Sequence, residues 1–206
     1  MYILFEGIDT CGKSTQIELL SETLRKKHLS KFNTQKIDDY NVIVTKEPGG
    51  TKFGIEARRI LLNDSLKSKR AELFLFLADR AEHYEEIVEP NKDKFVISDR
   101  GFLSGIGYAL ANGDFDFEEL MRLNRFALKN HFPDKIILFI TNMHTLQERT
   151  SAKILDGIEL RGLKYLINVQ NKMQESLAKL DIDYLLIDAT ESKETIHQKI
   201  LSYLEL

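Results

Sequence analysis

Short apolar runs recur along this chain, and longer stretches between them return an apolar residue every three or four positions. Tyr2-Ile3-Leu4-Phe5, Val42-Ile43-Val44-Thr45, Phe95-Val96-Ile97-Ser98, Ile136-Ile137-Leu138-Phe139-Ile140 and Tyr184-Leu185-Leu186-Ile187 are brief and rich in branched side chains. Such runs predict strands covered on both faces. After Ser14, the spacing of Ile17, Leu20 and Leu24 predicts a helix. Further helices are expected over 56–62, over 71–88 with Pro90 as a stop just beyond, and over 102–111 and 117–129. Gly113 and Asp114 break the last two apart, and Asp116 is placed to cap the second, whose first turn holds Glu118 and Glu119. Residues 144–150, 163–180 and 195–204 complete the helical set, and the polar segment 30–41 reads as a surface connection. Strands alternating with helices imply an α/β fold, a parallel sheet with helices on both faces that binds ligands at the carboxyl ends of its strands.

A chain of 206 residues suits one such domain, 1–206, with room for a small lid. The net charge of −3 gives no reason to expect a nucleic-acid surface, so positive charge for an anionic ligand must be local. Cys11 is the single cysteine, which excludes an intrachain disulfide and suits a reducing cytoplasm. No basic segment followed by an apolar one opens the sequence, and no run is long enough to span a bilayer, so no membrane association is expected.

The chemistry concentrates at the ends of the predicted strands. Gly7-Ile8-Asp9-Thr10-Cys11-Gly12-Lys13-Ser14 fits the phosphate-binding pattern G-x-x-x-x-G-K-[ST], between a strand and a helix as that mechanism requires. Successive backbone N–H groups and the helix N-terminus attract a triphosphate. Gly7 and Gly12 allow the backbone angles of such a loop, Lys13 can reach the β- and γ-phosphates, and Ser14 can ligate Mg²⁺. The third strand runs into Asp99-Arg100. Asp99 is either a Mg²⁺ ligand, direct or through water, or half of a structural pair with Arg100, whose fork also suits a second phosphate. Lys46-Glu47-Pro48-Gly49-Gly50-Thr51 follows the second strand, and its Pro-Gly-Gly favours a tight turn that brings backbone close to the cleft. Phe76 and Arg80 share a helix face at i and i+4. Together they could clamp a nucleobase by stacking and edge hydrogen bonds; the plain alternative for Phe76 is core, whereas a buried arginine needs a partner.

These words together resemble a family. Phe5-Glu6-Gly7-Ile8-Asp9 through Ser14-Thr15, Lys46 to Thr51, Phe76-Leu77-Ala78-Asp79-Arg80, Ser98-Asp99-Arg100, Leu103-Ser104-Gly105-Ile106-Gly107-Tyr108, Pro133-Asp134 and Ile187-Asp188-Ala189 are similar, in order and spacing, to thymidylate kinases over nearly the whole chain. The resemblance implies a three-layer P-loop kinase fold with five parallel strands in the order 2-3-1-4-5 and a small lid, usually in a homodimer. It implies transfer of the γ-phosphoryl of ATP to dTMP with Mg²⁺, giving dTDP for dTTP synthesis. ATP would lie on residues 7–15 (Gly7, Ile8, Asp9, Thr10, Cys11, Gly12, Lys13, Ser14 and Thr15), with Asp188 and Ala189 by the adenine. Phe76 would stack on thymine and Arg80 bond its edge. Arg100, helped by Lys46, would hold the acceptor phosphate, with Glu47 near that phosphate and the metal and Pro48 in the same turn. Asp9 would contact the 3′-hydroxyl, and Ser104, Gly105 and Tyr108 would line the pocket, Tyr108 beside the ribose.

Two departures from the family pattern stand out. Lys46 occupies a position often held by arginine, which keeps the charge and loses the bidentate fork. Position 10 is Thr, so the loop version of the transition-state arginine is absent, and the lid, about 144–162, should supply it. There Asp156-Gly157-Ile158-Glu159 stands where bacterial-type lids read Asp-Arg-x-Glu, which leaves Arg149, Lys153 and Arg161 as candidate cations. A guanine-reading Asn-Lys-x-Asp is missing: Asn91-Lys92-Asp93-Lys94 and Asn171-Lys172-Met173-Gln174 both lack the final Asp, which argues against a GTPase switch. A kinase for another nucleotide disagrees with the Phe76/Arg80 pair and the Glu-Pro-Gly-Gly-Thr turn, and a non-catalytic nucleotide-binding module disagrees with intact Lys13, Ser14 and Asp99.

Overall fold

The five apolar runs form the strands of one parallel sheet: β1 (Tyr2–Glu6), β2 (Val42–Lys46), β3 (Phe95–Asp99), β4 (Lys135–Ile140) and β5 (Asp183–Asp188). Their spatial order is β2-β3-β1-β4-β5, the order the resemblance implies. This computed structural model describes residues 1–32, 42–63, 66–150 and 162–206. Four strands run further than the apolar pattern predicts and end on a charged residue: Glu6, Lys46, Asp99 and Asp188. Parallel register aligns these ends, with Phe5 and Lys46 both opposite Asp99.

Central β1 is buried throughout and splits its side chains between two cores. Tyr2 and Leu4 face a core completed by α3 (Lys69–His83), α4 (Phe102–Asn112), α5 (Phe117–Ala127) and α7 (Leu163–Leu177). Ile3 and Phe5 face a smaller one with α1 (Lys13–Phe32) and α8 (Lys193–Tyr203). The strand alternation thus sends successive residues into opposite layers. Coverage of both faces fails at the edges: Val44 on β2 and Tyr184 on β5 are 45% and 40% exposed. The remaining described helices are α2 (Lys52–Asn63) and α6 (Met143–Thr150).

Several predicted boundaries shift. Residues 30–32, read as a connection, belong to α1, and 33–41 lie outside the described residues. The single helix expected over 71–88 is α3 followed by a π turn (Tyr84–Val88) and a 3₁₀ turn (Glu89–Asn91). Pro90 explains the change of winding, since it offers no N–H and its ring crowds the carbonyl four residues back. The helix from Phe117 ends at Ala127 rather than 129, because Lys129 turns into the left-handed region, and α7 stops at Leu177. Asp116 caps α5 as expected, its carboxylate accepting from the Glu119 N–H at 2.8 Å. Among the described residues no helix is long and apolar enough to cross a membrane.

Candidate active site

The chain leaves β1 at Glu6 and loops through Gly7 (φ +138°), Thr10 (φ +62°) and Gly12 (φ +93°) into α1. A Cβ on Gly7 would come within 2.7 Å of the Phe139 carbonyl oxygen, so the loop lies tight against β4. Lys13 is buried, and its Nζ donates to the carbonyls of Gly7 (3.1 Å) and Ile8 (2.9 Å). Cys11 Sγ donates to the Ile8 carbonyl at 2.9 Å, so the thiol braces the loop from its buried side. Residues 12–15, Lys13 included, border a cavity of about 400 Å³ with Lys46, Asp99 and Arg100.

Ser14 Oγ donates to Asp99 Oδ2 at 3.3 Å, while Asp99 Oδ1 is buried with no hydrogen-bond partner. A hydroxyl and a carboxylate with a spare buried oxygen fit Mg²⁺, which is held by one or two such groups plus substrate phosphates rather than by an all-protein cage. Among the described residues there is no cluster of three or more His, Cys, Asp or Glu that could hold a metal ion.

Arg100, at φ +71°, donates to the Gly7 carbonyl, to Ser104 Oγ (3.2 Å) and to Asp9 Oδ1 (2.8 Å). Asp99 and Arg100 make no direct salt bridge: Asp99 accepts from Ser14, and Arg100 bonds Asp9. Burial opposes the charge on Arg100, but Tyr108, Asp9 and Asp99 outweigh it and hold the guanidinium firmly protonated. Behind it lies Glu6, fully buried, which accepts from the backbone N–H (3.3 Å) and the hydroxyl of Ser104. Burial pushes its carboxyl above the usual range.

A second cavity begins where the first ends, and both touch Asp9, Glu47, Arg58 and Arg100. It is narrower, about 50 Å³, and is walled by Pro48, Phe76, Arg80, Ser104, Gly105 and Tyr108. The helical spacing thus brings Phe76 and Arg80 onto one wall, although Phe76 also packs on the core. Arg80 is 2% exposed and has the partner that burial demands: its Nε donates to Glu47 Oε2 at 2.9 Å, and its Nη1 to Asn124 Oδ1 at 2.8 Å. His83 Nδ1 lies 2.9 Å from Glu47 Oε1, and His83 Nε2 is 2.8 Å from Thr45 Oγ1. Both oxygens of Glu47 are thus engaged toward α3. Burial works to raise the Glu47 pKa, yet Arg80 and His83 prevail and hold it below the usual range. Asp79 accepts from the Gly49 N–H at 3.0 Å and fixes the Pro48-Gly49 turn, which Arg58 also grips through the Pro48 carbonyl at 3.0 Å. Burial first and Glu47 second push Asp79 up to about 6.

Lys46 is exposed at the strand end and borders the phosphate cavity. Asp188 and Ala189 lie at the end of β5, where Asp188 accepts from the N–H (2.9 Å) and hydroxyl (2.7 Å) of Thr190. Arg149 bridges the two loops on this side, donating to the Thr10 carbonyl at 3.2 Å and the Ala189 carbonyl at 2.8 Å. Lys153, Arg161 and Asp156-Gly157-Ile158-Glu159 lie outside the described residues. Glu6, Arg58, Asp79, His83 and Asn124 were not singled out by sequence reasoning. The signals present for them were the position of Glu6 before the loop and the placing of Asp79 and His83 one and three residues from Arg80.

A family model described as thymidylate kinase matches residues 5–200. A thymidylate kinase of Sulfurovum sp. (strain NBC37-1) is 68% identical over 206 residues, spanning all of both chains. A thymidylate kinase of Campylobacter concisus (strain 13826) is 49% identical, covering 99% of this chain and 98% of the relative. The crystal structure of thymidylate kinase from Ehrlichia chaffeensis matches with a TM-score of 0.77 at 24% identity, covering 99% of this chain and 98% of the other, and shows the shared fold.

Proposed function

The chain belongs to the thymidylate kinase family, an ATP:dTMP phosphotransferase that yields dTDP and ADP, and on that premise we propose how its residues divide the work. The observation that carries the reading is the shared wall of the two cavities, Asp9, Glu47, Arg58 and Arg100, across which a phosphoryl group would pass. ATP extends its triphosphate over residues 7–15, with Lys13 as the compensating cation. Ser14 and Asp99 would hold Mg²⁺, which supplies charge neutralisation at the β- and γ-phosphate oxygens. dTMP occupies the narrower cavity, whose present size lies far below the roughly 300 Å³ at which ligand pockets begin, so its walls part on binding. There Phe76 stacks on the thymine, Arg80 donates to its edge, Ser104, Gly105 and Tyr108 border the nucleoside, and Pro48 closes the turn beside it. Arg100 and Lys46 hold the acceptor phosphate, and Asp9, tied to Arg100, meets the sugar hydroxyl. Glu47 acts through Arg80, which one oxygen of its carboxylate holds while the other meets His83.

Phosphoryl transfer needs in-line placement and fixed positive charge rather than a strong base, since the acceptor is already an anionic phosphate. Lys13 and Arg100 both donate to the Gly7 carbonyl, and together they bring that charge.

Arg149 takes the adenine side rather than the transition state. Its guanidinium lies between the Thr10 and Ala189 carbonyls, where Asp188 and Ala189 border the nucleotide. Lys153 or Arg161 then carries the cationic role of a lid over about 144–162. In a coupled kinase assay, Arg149→Ala is expected to raise KM for ATP about tenfold with kcat nearly unchanged. A tenfold fall in kcat at unchanged KM would return Arg149 to the transition state.

A homodimer is supported by exposed apolar side chains on helices in contact with one another: Ile55 on α2 and Phe74 on α3, each 59% exposed, and Phe126 on α5, 87% exposed. Sedimentation at the mass of one chain would refute it. A cytoplasmic enzyme fits the lone cysteine and two nucleotide substrates, and the net charge of −3 offers no general nucleic-acid surface.

A further inference from the structure

Asn124 is a polar residue in an apolar place. It is 1% exposed on α5, among buried Leu120, Met121 and Ala127, where an apolar side chain would pack without the cost of hiding an amide. Its Nδ2 donates to the Leu120 carbonyl at 2.8 Å, and its Oδ1 accepts from Arg80 Nη1 at 2.8 Å. The reversed amide would set two donors against each other, so the chemistry fixes which end faces the guanidinium. Arg80 is gripped at its other edge by Glu47, which meets His83, itself placed by Thr45. A Cβ on Gly105 would sit 3.3 Å from both Nη atoms, so α4 closes over the group from a third direction. The guanidinium is thus fixed at two edges, by Glu47 after β2 and by Asn124 on α5, and borders the acceptor cavity beside Phe76.

We propose that Asn124 is a positioning residue for base selection: by fixing the rotation of the Arg80 guanidinium, it makes that arginine a rigid donor that accepts thymine and refuses cytosine. The inference rests on the reading of Arg80 as the donor to the base edge. Thymine presents a carbonyl acceptor at its 4-position, where cytosine carries an amino donor. A guanidinium free to swing could avoid the donor–donor clash by exchanging partners. One held by Glu47 and Asn124 leaves the wrong base with an unpaired buried donor, which is how polar sites discriminate most strongly.

The test compares kcat/KM for dTMP and dCMP in the full-length enzyme and three variants. Asn124→Leu keeps the forked shape and removes the acceptor. It is expected to lower the dTMP-to-dCMP ratio by at least about tenfold, mainly through KM for dTMP, with KM for ATP within about twofold. Asn124→Asp keeps an oxygen facing Arg80 and is expected to restore the ratio to within about threefold of the parent. A packing defect alone would lower activity on both substrates alike and leave the ratio unmoved. Arg80→Met separates the two layers of the argument. If it leaves the ratio unchanged, the reading of Arg80 fails; if it collapses the ratio while Asn124→Leu does not, the inference about Asn124 fails by itself. Should Asn124→Leu not fold, Asn124→Ala carries the same expectation, and an unchanged ratio in it overturns the proposal.

Discussion

The two ends of the cleft are built from different material. On the phosphate-loop side the contacts run to main chain: Lys13 to two carbonyls, Arg149 to two more, with Ser14 and Thr15 exposed beside them. On the Phe76 side the working groups are side chains removed almost wholly from solvent, Glu47 at 3% exposed, Arg80 at 2%, His83 at 0% and Asn124 at 1%. A triphosphate tail is the same on every nucleoside triphosphate, so backbone groups common to all residues suffice to hold it. A base is identified by its pattern of donors and acceptors, which calls for particular side chains, and once buried these need partners of their own. One side is therefore short in sequence and open, the other dispersed and enclosed.

Removing Lys13 should break the contrast most severely. Lys13→Ala is expected to lower turnover by about a thousandfold or more, with far-UV circular dichroism unchanged. Turnover within tenfold of the parent would show that the loop amides suffice without it.

Asp79→Asn probes the enclosed side through stability. A carboxyl raised to about 6 in the folded chain keeps a proton that the unfolded chain loses near pH 4. Folding stability therefore falls as pH rises between about 4 and 6 and levels off above that window. Asn retains an acceptor for the Gly49 N–H and cannot ionise. The stability of Asp79→Asn relative to the parent should grow by about 2 kcal/mol from pH 4 to pH 8, read from urea unfolding at each pH. A difference that stays constant with pH would mean that Asp79 is not the strained carboxyl.

The same contrast explains what was legible in the sequence. The phosphate loop is one uninterrupted word between a strand and a helix, so its role could be read locally. Phe76 and Arg80 were legible as a pair because helical spacing places them on one face. Their supports were not: Glu47 lies 33 residues before Arg80, Asn124 lies 44 after it, and Glu6 meets Ser104 across 98. Nothing in periodicity joins such positions, and the strand order that does so came from the resemblance alone. Arg149 is a lid cation candidate by its position in the chain, and its backbone-carbonyl partners are announced by no side-chain pattern. Edge exposure in β2 and β5 escaped notice for a related reason: an apolar run looks the same whether the strand lies at the centre or the rim of a sheet.

Asp99 shares a rung of the ladder with Phe5 on one side and Lys46 on the other. The sheet therefore works as a vernier for the whole cleft. Deleting one residue from the middle of β3 would bring Arg100 to that rung and reverse which face each following side chain addresses. Every functional group would survive in the sequence while the carboxylate that meets Ser14 was displaced. The alignment of β3 with its neighbours is thus as strict a requirement for chemistry as any single side chain it carries.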